Sequence, residues 1–453
     1  MRIAFNILRM NWYRLFAPLI DETMSRGHVV ECWHNVGNKN LGSNVINMAK
    51  MPEFRHGKPI VRDYSGMKQF LKLVKSKSVD AIVDVFPPLA RDPNGINPEP
   101  HLLMKEWPQS GDRPYWIMLD AVPGDCMTAI QNEEQLFACD LFLLRSEFWA
   151  DFDARSMRDD LSGYIQQAYS NRRYSGKFLL EFMLRRQRFR WSSRHEEYFR
   201  GHSQCIGYPM VDPYISIDPQ QIRRSWGIPK DVPVVVHLPS PYGHGNVGLW
   251  EKMYGNSRMP VRLFFAMLAG RWEYIKNAFV PSHDEAVINA IDVFCKKNNA
   301  FLLSKRRHSQ VVSPLVKKTA SLIVGDESHY PHTMVSALAI ADLCVGSYSA
   351  TVYEAVAQNV FFLNINIPFF PVSLIENYLP IEEIYNFKGA TASMDAASFA
   401  RTFSEKSLAD FKIVPESRLA FNNKYTGPVD GKSSSRFVDC AESLVTTGRV
   451  NLI

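Results

Sequence analysis

The stretch ADLCVGSYSATVYEA (341–355) sets three hydroxyls and a carboxylate at one strand-to-helix turn. DLCVG reads as a short buried strand, and TVYEAVAQN (351–359) as the helix that follows it. The first N–H groups of a helix lack partners and its dipole is positive there, which suits a phosphate. Ser347, Ser349 and Thr351 would add side-chain donors, and Glu354, one turn in, could accept hydrogen bonds from sugar or ribose hydroxyls. Thr351 and Glu354 also have the spacing of a capping box, which only closes a helix end. The sequence leaves both readings open.

A second candidate group is SKRRH (304–308), at the end of a predicted strand. Lys305, Arg306 and Arg307 could stabilise charge developing on a leaving phosphate, although strand alternation lets at most two of them face one cleft. GHGNVG (243–248) has glycines in the dinucleotide pattern, but PSPY separates it from its strand and no acid closes a second strand about twenty residues on. It reads instead as a loop carrying His244, with Ser240 just before it, near a bound donor. No cofactor is therefore expected. Asp120 and Asp125, in LDAVPGD after a strand, could act as general base or nucleophile, with His34 after VVECWH as a rival base. Each of these residue types is also common at ordinary strand ends. DFD (151–153) resembles a metal-binding triplet but falls on a polar helical stretch, so no metal site is expected.

The chain has 453 residues, which is enough for two or three domains, and its 46% hydrophobic content is that of a folded protein. A net charge of +6 favours anionic partners, but no RNP, KH or zinc signature accompanies it, so nucleic acid is not an expected partner. Seven widely spaced cysteines without a CxxC pair read as free thiols in a reducing compartment. MRIAFNILRMNWYRLF lacks the apolar core and cleavage site of a secretion signal, and no apolar run is long enough to span a bilayer. The expected location is cytoplasmic, with a peripheral contact on the inner membrane face. That contact would come from 172–200, where eight arginines and one lysine interleave with Phe178, Phe182, Phe189 and Trp191. The same segment also suits a basic cleft wall.

These residues need elements to hold them. RIAFNIL (2–8), HVVECWHN (28–35), VDAIVDVF (79–86), PYWIMLD (114–120) and CDLFLLRS (139–146) read as strands, with helical patterns over 13–26 and 67–77. A helical, arginine-rich stretch over 151–200 interrupts the series, and CIGYPMVDPYISIDPQQIRRSWGIPKD (205–231) has the proline content of a hinge. The alternation then resumes with strands at 232–238, 300–306, 320–324, 342–346 and 360–366, and helices at 260–279, 284–299, 331–341 and 351–359. The fold class is α/β, with two Rossmann-like domains facing across a cleft. The domains are 1–204 and 232–453, joined by the hinge 205–231.

In order, GYPMVDPY, RRSWGIPKDVPVVVHLPSP, LLSKRRH, ADLCVGSYSATVYEAVAQNVFFLNINIP and YTGPVDGKSSSRFVD resemble the C-terminal half of a GT-B-type glycosyltransferase over about 205–442. The pattern is most similar to bacterial surface-polymer transferases, including the capsule-polysaccharide and CDP-glycerol glycerophosphotransferase groups. Over 1–204 the likeness is one of topology. QNV (358–360) departs from it, because many relatives carry a glycine there. The resemblance implies a nucleotide-sugar donor as substrate of 232–453, its phosphate held by Ser347, Ser349 and Thr351 and a hydroxyl by Glu354, and a glycan or lipid-linked acceptor taken by 1–204. The implied activity is sugar transfer in bacterial surface polysaccharide synthesis. Polyol-phosphate transfer, nucleotide-sugar 2-epimerisation and nucleotide-sugar binding without turnover are the alternatives.

Overall fold

The computed structural model describes residues 1–37, 45–89, 107–108, 111–120, 130, 132–156, 191–240, 268, 283–306, 312–325, 330–366 and 380–449. The first sheet holds β1 (Arg2–Ile7), β2 (Val29–Asn35), β3 (Ile60–Tyr64), β4 (Ala81–Asp84), β5 (Tyr115–Leu119), β6 (Leu141–Leu144) and β7 (Ser203–Cys205). Their order is β3-β2-β1-β4-β5-β6-β7, with every pairing parallel. The second sheet holds β8 (Val234–His237), β9 (Phe301–Lys305), β10 (Leu322–Val324), β11 (Leu343–Gly346), β12 (Phe361–Asn366) and β13 (Thr391–Asp395). It repeats the plan in the order β10-β9-β8-β11-β12-β13, again all parallel. Two Rossmann-like sheets are thus present, as the strand-helix alternation predicts.

The central strands are continuous apolar runs because both faces of each sheet are covered. On one face of the first sheet, Phe5 meets Phe16 of the helix Tyr13–Ser25 at a ring separation of 5.5 Å. On the other, Trp116 and Trp33 pack on Phe70 of the helix Met67–Lys75. The helix Asp284–Lys297 covers one face of the second sheet through Val287, Ile291 and Phe294.

Two features of the structure bear on the expected domain limits. Within the expected hinge 205–231, residues 206–214 form a packed crossover, whereas most of 215–231 is exposed. The 3-10 helix Pro209–Ser216 buries Met210, Val211 and Tyr214, and the helix Pro219–Ser225 follows. The segment 232–453 also does not stay on one sheet, because its last helix, Ser433–Thr447, returns to the first. There Phe437 lies 6.0 Å from Phe5, and Arg26 donates to Asp439 at 2.5 Å. Asp212 in the crossover accepts the backbone N–H groups of Ser433 and Ser434 at 3.2 and 2.6 Å. An acid at the N-terminal end of this helix satisfies orphan donors and opposes the dipole.

The two halves are further tied by Trp149 Nε1 donating to the Tyr425 carbonyl at 2.9 Å and Ser146 Oγ to the Lys424 carbonyl at 2.6 Å. Gly427 is required at this seam. Its φ of 78° and ψ of −166° fall where essentially only glycine is found, and a Cβ would overlap the Arg145 carbonyl oxygen. Gly427→Ala should therefore lower stability by about 2 kcal/mol or more. Thermal and denaturant unfolding of the variant check this, and an unchanged melting temperature would mean that the seam is looser than described.

Candidate functional site

The turn after β11 is shaped by side chains from β12. Asn364 Oδ1 accepts the Tyr348 N–H at 2.7 Å and Asn366 Oδ1 accepts the Tyr348 hydroxyl at 2.9 Å, holding Tyr348 at a φ of 41°. Ser347 Oγ donates to the Ile365 carbonyl at 2.8 Å, and Ser349 Oγ donates to Thr351 Oγ1 at 3.1 Å. Thr351 is buried. The three hydroxyls thus lie on one turn, Ser347 and Ser349 half-buried and Thr351 buried, each hydrogen-bonded within the turn or to β12.

Glu354 is not part of a capping box. The N-cap of its helix, Thr351–Ala357, is Ala350, which has no capping side chain, and the Thr351 N–H is accepted by Ser349 Oγ at 3.3 Å. The carboxylate is 1% exposed and receives Arg14 Nη2 on Oε1 and the Tyr214 hydroxyl on Oε2, the latter at 3.2 Å. Arg14 belongs to the first helix of the chain and Tyr214 to the crossover, so both halves meet on this carboxylate. Burial raises its pKa, while Arg14 and Tyr214 pull it back down. Beside it, the Arg145 guanidinium stacks 3.7 Å from the Tyr208 ring and 5.3 Å from that of Tyr353.

The other sequence candidates are placed as follows. Lys305, the buried last residue of β9, donates from Nζ to the Arg306 carbonyl at 2.9 Å. Arg306 is half-buried and its side chain fills the space left by the missing Cβ of Gly325. Ser240 is half-buried, three residues beyond β8. His34, next to last in β2, is fully covered, with Nε2 sharing a 2.5 Å hydrogen bond with the Tyr13 hydroxyl; burial lowers its pKa and the nearby Asp63 opposes this. Asp120 is buried after β5, with Arg145 Nε 3.7 Å away as its counter-ion. Asp125, His244 and Arg307 lie outside the described residues, as do 157–190 of the basic segment and the helix expected at 260–279 save Leu268.

DFD does lie on a helix, Glu147–Ser156, where Asp151 pairs with Arg200 at 2.8 Å. Among the described residues no group of three His, Cys, Asp or Glu side chains could hold a metal ion. The described cysteines, 32, 139, 205, 295, 344 and 440, are free. A depression of about 490 Å³ lined by Met1, His28, Asp439 and Glu442 sits at the opposite, amino edge of the first sheet.

Two buried groups escaped the sequence reading. One is His332, before the helix Thr333–Ala339, buried and close enough to Arg14 and Lys305 to feel both charges. The other is Asp84, at the end of β4. It accepts Asn6 Nδ2 of β1 at 2.5 Å, and Asn6 Oδ1 accepts the Tyr64 hydroxyl at 2.7 Å. Strand order reverses between β1 and β4, which is where sheets of this kind open a crevice. The only sequence signal was an acid inside the apolar run VDAIVDVF.

Comparison with solved structures agrees with this architecture. A single-residue variant of the wall teichoic acid polymerase TagF superposes with a TM-score of 0.53 at 11% identity, covering 99% of this chain and 89% of that one. A protein of Listeria monocytogenes assigned as a UDP-N-acetylglucosamine 2-epimerase gives 0.52 at 10% identity, covering 100% and 99%. The complex of S. aureus MnaA with UDP gives 0.50 at 10%, covering 100% and 99%. The chain has the GT-B architecture. No protein-family model and no curated protein matches it by sequence.

Burial raises the Asp84 carboxyl to about 7, against hydrogen bonds from Asn6 and from the backbone of Phe86 and Val85 that lower it. A carboxyl that titrates higher in the folded than in the unfolded chain removes stability as pH rises. Asp84→Asn should therefore gain melting temperature over the native protein between about pH 4 and about pH 7, and the gain should level off above. Equal pH–stability curves would show that the carboxyl is not desolvated.

For Glu354, a double-mutant cycle of Arg14→Met and Glu354→Gln should give a coupling of roughly 1–3 kcal/mol, less than for a fully buried pair because Arg14 keeps 25% exposure. Without Arg14 the buried carboxylate is harder to ionise. Arg14→Met should accordingly lose more melting temperature at about pH 8 than at about pH 5.

Proposed function

We propose that this protein is a glycosyltransferase that moves a sugar from a nucleotide-activated donor to a glycan or lipid-linked acceptor in the synthesis of a bacterial surface polysaccharide. The observation that carries the proposal is the meeting of two Rossmann-like halves on the buried Glu354, beside Arg14, Lys305 and the turn 347–351. A cleft of this kind presents cations for a donor phosphate and a carboxylate for a donor hydroxyl. Donor hydroxyl binding would replace Arg14 or Tyr214 on Glu354. The similarity to TagF, and to MnaA in complex with UDP, supports the nucleotide side of this reading. It equally favours two neighbouring chemistries, polyol-phosphate transfer and nucleotide-sugar 2-epimerisation.

The acceptor domain is the first one, and the basic segment 172–200 gives it a contact with an anionic membrane surface. Among the described residues no helix is long and apolar enough to cross a membrane. The proposed location is the cytoplasm, at the inner membrane face.

The test is turnover of a panel of UDP-, CDP- and other nucleotide-activated donors, with and without lipid-linked acceptor in liposomes. Transfer that requires acceptor, runs faster on anionic than on neutral liposomes and weakens with salt is expected. Persistence in EDTA is expected too, because the arrangement uses cations of the chain. Acceptor-independent conversion at the sugar would favour the epimerase, and binding without any turnover would leave a binding protein.

A further inference from the structure

His332 has two ring nitrogens with different fates. Nδ1 accepts the Met334 N–H at 3.3 Å, which caps the start of the helix Thr333–Ala339. An accepting Nδ1 on a neutral ring puts the proton on Nε2. Burial and the positive charges of Arg14 and Lys305 keep this ring neutral. Nε2–H is thus a donor, yet it has no hydrogen-bond partner, on a side chain that is only 5% exposed. The adjacent Thr333 hydroxyl, 8% exposed, is likewise without one. A buried donor without an acceptor costs on the order of 1–3 kcal/mol, so two in succession call for a ligand.

The surroundings state its charge. The helix Thr333–Ala339 packs against β9, whose last residue is Lys305, and against the crossover helix that carries Tyr214. Just before it, Tyr330 meets the first half, with Arg55 5.5 Å from its ring centroid and Phe54 at 6.2 Å. Orphan donors beside two cations at a junction between halves fit an oxyanion.

We propose that His332 Nε2–H and the Thr333 hydroxyl, with Lys305 and Arg14, bind the phosphate oxygens of a nucleoside diphosphate, so that one anion is gripped from both halves of the molecule. This deepens the donor reading given above and rests on it for the identity of the anion. Arg14 would turn from Glu354 toward the phosphate as the donor hydroxyl takes its place, which couples the two ends of the donor.

His332→Asn separates the two roles of the ring, since an asparagine oxygen can still cap Met334 while the Nε2 donor is gone. Inorganic pyrophosphate, UDP and CDP should raise the melting temperature of the native protein, and His332→Asn should bind them about ten- to a hundredfold more weakly. Affinity for uridine and cytidine should not change. Equal affinity of native and variant protein for the diphosphates would overturn the proposal, and so would failure of all three to protect the native protein, the orphan donors then holding water only. Protection by pyrophosphate but not by UDP or CDP, lost in His332→Asn, would keep the anion site and remove the nucleotide-donor reading. Should the variant not fold, nitrogen NMR of the native protein decides. The His332 Nε2 resonance must shift when pyrophosphate is added, and an unmoved resonance overturns the assignment.

Discussion

A carboxylate buried to 1% exposure needs donors on both oxygens, and Glu354 draws them from two places remote in sequence: Arg14 in the first helix and Tyr214 in the crossover. Much of the arrangement follows from that requirement. The first helix must present Arg14 toward the second sheet, the crossover must be rigid enough to place Tyr214, and the turn after β11 must deliver Glu354 inward. Prolines and buried apolar side chains stiffen the crossover, and Asp212 fastens it to the helix Ser433–Thr447. A flexible linker could not hold a hydroxyl 3.2 Å from a buried oxygen.

Among the described residues at the junction, Arg14, Arg145 and Lys305 each have a partner in their dry surroundings. Arg145 has Asp120 as counter-ion and two aromatic faces, Arg14 has Glu354, and Lys305 keeps a backbone carbonyl. His332 carries no charge, which lets it sit between Arg14 and Lys305 without repulsion. Such a junction retains buried donors that an anion can recruit.

The resemblance and the structure converge on the architecture from different evidence. Among the residues singled out from sequence, Lys305 and Arg306 stand at the end of β9, Ser347 and Ser349 in the turn after β11 and Thr351 and Glu354 in the helix that follows, positions that were legible because apolar runs flank them. His332 and Asp84 were not, since neither lies in a recognisable pattern. His332 follows a proline in a polar segment, and Asp84 is one acid in an apolar strand. The strands that the sequence did not announce, β3, β7 and β13, are all sheet edges. An edge strand has only one neighbour and need not be apolar on both faces, so IVRDY, SQC and TASMD carry polar residues and leave a weak signal.

By itself the sequence determined the secondary-structure alternation, the two successive α/β units and the strand ends where polar chemistry gathers. Those features depend on local periodicity and burial, which a single chain segment records. The tertiary structure alone decided that Ser433–Thr447 returns to the first sheet, that the proline-rich crossover is packed, and that Arg14 meets Glu354 across 340 residues. It also decided which imidazole nitrogen of His332 carries the proton, since that depends on a backbone N–H two residues on and on two charges brought close only by folding. Pairings between remote segments leave no periodic trace, because each partner needs only the right residue type at one position.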